Sequence, residues 1–512
     1  MTENKGTFSN IMKSATLIMM CTVIYKLLGF FREFILSYFW GTSGISDAFL
    51  ISLTIPGTLF DIVGVGLTTC FIPIYFDLLK SGSKYQAYAF TNKVCTLIFV
   101  FATILILLVW IDTPLIVKLF ASGFSDETLN YACQFTRIGV LSLYFSGFVF
   151  VLTSYLQTEN RFFSASGTAV YQSALVLLSI YLGAKVNIWL MPIGCALSIG
   201  TRILVLYPHA RKFGYRFNLD FRWKDESVKQ LGKLLLPVVL GVAVNDLNIL
   251  FDRTIASQVA VGAISALMYA NSIIHLAIGG VVQPVATVFY PNITKSISEK
   301  NMNDAVAMIK RTMSVILIIL VPLSLFFFIY SENIVSVLFN RGAFDNNSLC
   351  LTHQSLLYYS VGLIFIGVRE VVSRIYYAYS DTKTPMINSA IGVAFNILLN
   401  FILSKYMGVG GLALATSISA LITAVLLIHN SSKKLNICVH DLFDWRELSK
   451  VVFSTLITGA VTFFLRSIFN DINFINLALI ILVAIITYIL TAIVTRMENI
   501  MNALSWIKNK IK

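Results

Sequence analysis

The chain has 512 residues, 57% of them hydrophobic and only 12% charged, with a mean hydropathy of +0.80. Soluble globular proteins carry about 25% charged residues, so the soluble class is excluded, and the disordered, collagen-like and nucleic-acid-binding classes fall with it. The formal net charge of +13 therefore has to be explained by topology rather than by a polyanionic partner.

Met1 to Lys13 is polar, and the apolar run from Ser14 to Trp40 is too long for a signal-peptide core and lacks a cleavage site. It reads as a retained first span. At about 20 apolar residues per crossing, fourteen spans are expected in all. They cover 14–40, 47–76, 88–111, 130–156, 162–183, 187–207, 233–256, 262–290, 312–330, 352–378, 386–405, 409–429, 451–469 and 474–495. Of the 38 lysines and arginines, 26 fall on the side that holds both termini, 5 on the other side and 7 within spans. By the positive-inside rule the basic side is cytoplasmic. A multi-pass membrane protein with both termini inside is expected.

The fold class is all-α, with two six-span lobes and two further C-terminal spans. The lobes are 1–207 and 233–430, joined by a basic linker at 208–232, with 431–512 holding spans 13 and 14 and a basic tail. In the linker Arg211, Lys212, Arg216, Arg222, Lys224 and Lys229 alternate with Tyr215, Phe217, Phe221 and Trp223. Such interleaving suits single-stranded nucleic acid, but beside a membrane it reads as a segment lying on anionic headgroups. The tail from Ser505 to Lys512 reads as a second surface anchor. Seven scattered cysteines without a CxxC or Cys/His cluster read as small core residues.

The lobes repeat each other. Ile116 to Phe124 (IVKLFASGF) returns as Ile334 to Phe344 (IVSVLFNRGAF), and Tyr155 to Arg161 as Tyr377 to Lys383. Ile45-Ser46 matches Ile264-Ser265, all at offsets near 220. Six spans is an even number, so both lobes insert the same way, a parallel repeat of the kind that surrounds a central path in transporters.

Ionisable residues inside a span are costly and mark function by default. Span 1 carries Lys26, Arg32 and Glu33; span 7 carries Asp246, Asp252 and Arg253 at the same repeat positions with the signs reversed. Lys26 and Glu33, seven apart, share a helix face. Two readings stay open: interlobe salt bridges, or a hydrated cavity whose cations bind an anion and whose pairs gate it. Glu33, Asp61 and Asp246 are gate or proton candidates. Arg137 and Arg202 lie near span ends, where snorkelling suffices. Arg369, Glu370 and Arg374 are spaced for local ion pairs. Asn396, Asn400 and Thr416, with Asp252, can supply oxygens to a small cation or hydrogen-bond between helices. No Walker loop, HExxH, GxSxG or histidine set with ligand spacing occurs, so no enzyme and no other metal site is expected.

Tyr25 to Phe49 (YKLLGFFREFILSYFWGTSGISDAF) resembles the opening signature of the MurJ/MviN lipid II flippase family, within the multidrug/oligosaccharidyl-lipid/polysaccharide exporter superfamily. Pro114 to Leu129, Phe251 to Asn271, Leu338 to Phe344 (LFNRGAF), Tyr377 to Pro385 (YAYSDTKTP) and Gly410 to Ser417 (GGLALATS) extend the resemblance over residues 10–430. It implies fourteen spans, two lobes in a V, and a groove for the lipid tail formed by spans 13 and 14. The implied activity moves undecaprenyl-pyrophosphate-linked peptidoglycan precursor to the outer leaflet. Lys26, Arg32, Asp47 and Arg253 are the implied substrate-binding residues. Asp252, Asn396, Asn400 and Thr416 resemble a sodium site, which makes Na+ the one candidate coupling ion and leaves no other cofactor. The expected partners are the lipid-linked glycan, bacterial membrane lipids and, as further candidates, cell-wall synthesis proteins. Departures occur at Phe60 and Asp61, where the family has a basic pair, and at Ser272, where it has an arginine. They keep three alternatives open: a flippase for another polyprenyl-linked oligosaccharide, a cation-coupled drug exporter, and a non-transporting scaffold.

Overall fold

The computed structural model describes residues 2–502 and 505, apart from 82, 160, 223–224, 436 and 470–472. For 2–19, 61–62, 65, 81, 162–166, 236–237, 240–242, 245 and 434 only the backbone is described. The Asp61, Trp223 and Lys224 side chains and the tail after Ser505 therefore lie outside the described residues.

Every described element is a helix, because a chain in hydrocarbon must satisfy its peptide groups within itself. In order these are α1 (Thr2–Trp40), α2 (Gly44–Ser81), α3 (Lys84–Ile111), α4 (Thr113–Phe120), α5 (Asp126–Gly139), α6 (Ser142–Thr158), α7 (Phe162–Lys185) and α8 (Leu190–Lys212). They continue as α9 (Glu226–Val259), α10 (Ala263–Ser298), α11 (Met302–Phe339), α12 (Asn346–Ala378), α13 (Lys383–Lys434), α14 (Val439–Leu442), α15 (Trp445–Ile468) and α16 (Phe474–Val494). The protein is a multi-pass membrane protein. Among the described residues nine helices are long and apolar enough to cross a membrane, or ten if α5 and α6, bent by 41°, form one span. This measure stops short of fourteen. It counts α13 once, although two expected spans lie on it either side of non-helical Gly408, and α1, α2 and α9 are not among the nine.

The chain divides into two compact units, Met1–Ser265 and Ala266–Lys512. In the first, α2 packs on α3, α5, α6 and α9, while α7 pairs with α8 and α1. Its core centres on Phe71, Phe90, Tyr155 and Tyr215, all buried. Tyr215 belongs to the linker, which between α8 and α9 is reduced to 213–225 and is strapped along α3. The Tyr215 hydroxyl donates to Asn92 Oδ1 at 2.8 Å, Asn92 Nδ2 donates to the Arg216 carbonyl, and the Asp220 amide donates to Thr96 Oγ1 at 3.0 Å. Lys93 pairs with Asp225, the N-cap of α9. A buried tyrosine and four polar ties to one helix are more than an amphipathic segment on headgroups would need. Phe217, Leu219 and Phe221 do remain exposed.

In the second unit α12 packs on α11 and α13, and α15 on α11 and α16. Only 17% of the most apolar stretch of α16 is buried, so lipid covers most of it. α11 breaks at Tyr330 (φ −109°, ψ 17°).

The repeat is visible as local structure in each unit. The Ala121 amide bonds back to the Val117 carbonyl, and Asn340 to Ser336. Ser125 caps α5 through the Thr128 amide, and Asp345 caps α12 through that of Ser348. Buried Tyr155 and Tyr376 each donate to a main-chain carbonyl near the end of their half, Phe213 and Leu427.

Candidate substrate cavity and lipid groove

A cavity of about 390 Å³ opens inside the first unit between α1, α2, α5–α6, α7 and α8. Its polar wall holds Arg32, Ser52, Ser146, Gln172, Ser198 and Arg202. Arg32 donates to the carboxylate of adjacent Glu33 through Nε (3.0 Å) and Nη2. Glu33 is 2% exposed, and its Oε2 has no hydrogen-bond partner among the described residues. Spacing puts Lys26 and Glu33 on one face, and the Glu33 carboxylate turns to its neighbour Arg32. Half-buried Lys26 is not part of this cavity's wall. Phe60, at a position where the resemblance leads one to expect a cation, forms an apolar wall stacked between Phe101 and Phe150.

Arg202 is the residue that spacing missed. α8 runs on to Lys212, past the expected end of its span at 207, which moves Arg202 away from the interface. Pro192, Cys195, Ser198, Ile199 and Arg202 fall on one helical face, and that face lines the cavity. Arg202 donates to Thr168 Oγ1 (3.1 Å) and Gln172 Oε1 (3.3 Å), both neutral. The sequence signal was the run of small and polar residues every third or fourth position ahead of it.

Asp47 sits elsewhere. It is 1% exposed in the first turn of α2, and its carboxylate accepts from the amides of Gly262 and Ser265 and from the Ser265 hydroxyl, each at 2.8 Å. It caps α10 from another helix. Gly262 holds φ +84°, and a Cβ there would run into the Thr42 carbonyl. Arg253 donates to the Ile264 carbonyl at 3.3 Å, one residue from Ser265. Alongside, Gly123 donates to Ser257 Oγ, Gln258 to Ser122 Oγ and Thr254 to the Leu119 carbonyl, at 3.0, 2.7 and 2.7 Å. Asp47 and Arg253 therefore belong to a latch that ties the α1–α2 turn and the α4–α5 loop to the end of α9.

The second unit holds an apolar groove of about 470 Å³ between α11, α15 and α16, walled by residues such as Ile319, Phe326, Phe327, Ile481 and Ile485. Thr458, Thr462 and Tyr488 turn their hydroxyls to main-chain carbonyls. One end is pinned where α11 breaks: Tyr330 donates to the Thr462 carbonyl, and Arg466 donates to that of Ile329 at 2.7 Å and reaches Glu332 at 3.4 Å.

Of the remaining candidates, the buried Oδ2 of Asp246 has no hydrogen-bond partner among the described residues. Asp252 accepts from Asn248 at 3.1 Å. In the second unit Asn400 donates to Asn396 Oδ1 (2.9 Å) and Asn396 to Thr416 Oγ1 (3.3 Å). The two asparagines are nearly sealed, and the three side chains form one hydrogen-bonded chain that ends on the Leu412 carbonyl. Arg374 pairs with Glu370 at 3.2 Å, and the Ser272 hydroxyl turns back to the Tyr269 carbonyl. Among the described residues no group of three or more His, Cys, Asp or Glu could hold a metal ion.

Comparison with known proteins follows the same lines. The sequence model of a family described as "Lipid II flippase MurJ" matches residues 36–484. A "Probable lipid II flippase MurJ" of Thermotoga maritima is 26% identical over 94% of this chain and 95% of its own length. One of Vibrio cholerae is 26% identical over 81% and 82%. Among solved structures, "Lipid II flippase MurJ, inward closed conformation" superposes with a TM-score of 0.82 at 26% identity, covering 94% of this chain and 99% of that one. An inward-facing MATE family transporter, at 14% identity and a TM-score of 0.64 over 80% and 94%, shares the fold. The chain belongs to the lipid II flippase MurJ family.

Proposed function

We propose that the protein is a flippase that carries lipid II from the inner to the outer leaflet of the bacterial cell membrane by alternating access, making and breaking no covalent bond. The observation that carries this reading is the family match over 36–484. The chemistry of the two sites supports it. Lipid II joins a pyrophosphate to a long polyprenyl tail, and this chain holds a cavity with arginines and a separate apolar groove. Arginine holds phosphate oxygens through charge-assisted, two-pronged hydrogen bonds. The basic side is placed in the cytoplasm with both termini, on the strength of the 26-to-5 charge asymmetry. Na+ is the proposed coupling ion, held by the oxygens of Asn396, Asn400 and Thr416. Its binding would favour one access state over the other. Cell-wall synthesis proteins are the proposed protein partners, since they consume the flipped product.

The test is complementation of a bacterium depleted of its own lipid II flippase, with outer-leaflet lipid II measured directly. Growth with normal outer-leaflet lipid II is expected. Growth failure with well-inserted protein would send the reading to another polyprenyl-linked glycan.

A further inference from the structure

We propose that Arg202, steadied by Gln172 and Thr168, is the group that takes the substrate's phosphate charge in the first unit, and that Arg32 is held in reserve by Glu33. The inference rests on the flippase reading, and it starts from a charge balance. Arg32 and Arg202 are the cavity's two permanent cations. Arg32 is answered by the carboxylate beside it. Among the described residues Arg202 has a hydroxyl and an amide oxygen as partners, neither carrying charge.

A guanidinium has five N–H donors in a planar fork. Thr168 and Gln172 take one donor each, on Nε and Nη1, and fix the plane of the fork, leaving Nη2 as a donor on the side chain of a residue that lines the cavity. An uncompensated cation inside a membrane protein is expensive unless hydrated or bound to an anion. Here it lies in a cavity large enough for water and for a phosphate group. Ser146, on the same wall, adds a hydroxyl suited to a phosphate oxygen, while that of Ser198 is spent on the Cys195 carbonyl. The ligand class is thus a phosphate or pyrophosphate ester, and the flippase reading makes it the headgroup of the lipid.

Purified full-length protein in nanodiscs would be titrated with lipid II, with the same polyprenol lacking phosphate, and with inorganic pyrophosphate as competitor. Arg202→Gln is expected to weaken lipid II binding at least tenfold and to leave polyprenol binding within twofold. Arg202→Lys, which keeps the charge without the two-pronged fork, should recover part of the loss, whereas a purely structural role would lower lipid II and polyprenol binding alike. Should Arg202→Gln fail to give monodisperse protein, Gln172→Leu, which frees one side of the fork, should weaken lipid II binding about threefold. Wild-type protein that binds lipid II while both Arg202→Gln and Gln172→Leu match it would overturn the assignment. Displacement of lipid II by equimolar pyrophosphate would overturn it too, because the site would then be one for the free anion. Wild-type protein with no preference for lipid II over the bare polyprenol would instead overturn the flippase reading beneath it.

Discussion

The cavity of the first unit and the groove of the second are close in size, about 390 and 470 Å³, yet they solve opposite solvation problems. The cavity keeps two guanidinium groups inside a membrane protein, one answered by Glu33 and one by neutral oxygens. The groove turns the hydroxyls of Thr458, Thr462 and Tyr488 to its own main chain and presents mostly hydrocarbon. A substrate charged at one end and greasy along the other meets both demands without changing either. If, as proposed, the cavity reads the charge and the groove the apolar length, the two terms should be separable by mutation.

The largest effect should come from neither site. Asp47→Ala strips two amides of their acceptor, at about 1–3 kcal/mol for each buried group left unsatisfied, while the Ser265 hydroxyl keeps the Gly262 carbonyl. About 3 kcal/mol against the latched state is a population shift of roughly a hundredfold. A cysteine placed at Thr42, with native cysteines replaced, should then label readily with a membrane-impermeant thiol reagent added from outside. Protection equal to that of the Asp47 protein would mean the latch holds by other contacts.

Next in size, Gly459→Trp fills the groove, since even a Cβ there meets Leu325. Lipid II flipping should fall about tenfold, while a short-tailed lipid II analogue is flipped at the wild-type rate. Equal loss with both substrates would break the division between charge and tail.

Glu33→Gln sharpens the other half of the comparison. It removes the carboxylate that occupies Arg32, so lipid II should bind about threefold to tenfold more tightly with no change for the bare polyprenol. Weaker binding would mean that Glu33 holds Arg32 in the pose the substrate needs.

The smallest effect is expected in the strap. Arg222 grips the Asp220 carboxylate at 2.8 and 2.7 Å and holds its pKa down to about 2, below the ordinary value of about 3.9. A lowered folded pKa stabilises above the ordinary value, and that stability is lost as pH falls through about 2. Because Arg222 lies in solvent, Asp220→Asn should cost under about 1 kcal/mol. Calorimetry should find a Tm lowered by a degree or two at pH 6, with the gap closing toward pH 2 and both ligand sites unaffected.

The helices were legible because each crossing needs a long apolar run; the expected spans fall on helices, the one at 130–156 on two, α5 and α6, bent by 41°. Shorter-range features were less visible. α4 has only eight residues, too few for a hydropathy window to separate from its loop. The break at Tyr330 replaces one turn of a continuous apolar run and leaves no proline or glycine at that position. In the candidate site, residue type was readable and direction was not. Arg202 looked like an interfacial residue until α8 proved to continue to Lys212. Glu33 had two cations at plausible spacing, and only rotamers decide that Arg32 takes it. Asp47 read as a substrate contact because the main-chain donors that claim it lie 215 and 218 residues away.

That same capping has a genetic consequence. Two of the three donors to Asp47 are main-chain amides, and no codon change short of proline removes an amide. Most substitutions at Ser265 would still leave its amide in place. Heritable loss of this cap therefore has a small target: the codon for Asp47, and that for Gly262, where any side chain must accept a positive φ and displace the Thr42 carbonyl. Random mutagenesis selecting for a latch that opens too easily should return those two codons again and again, and a suppressor of either should arise far from the donors themselves.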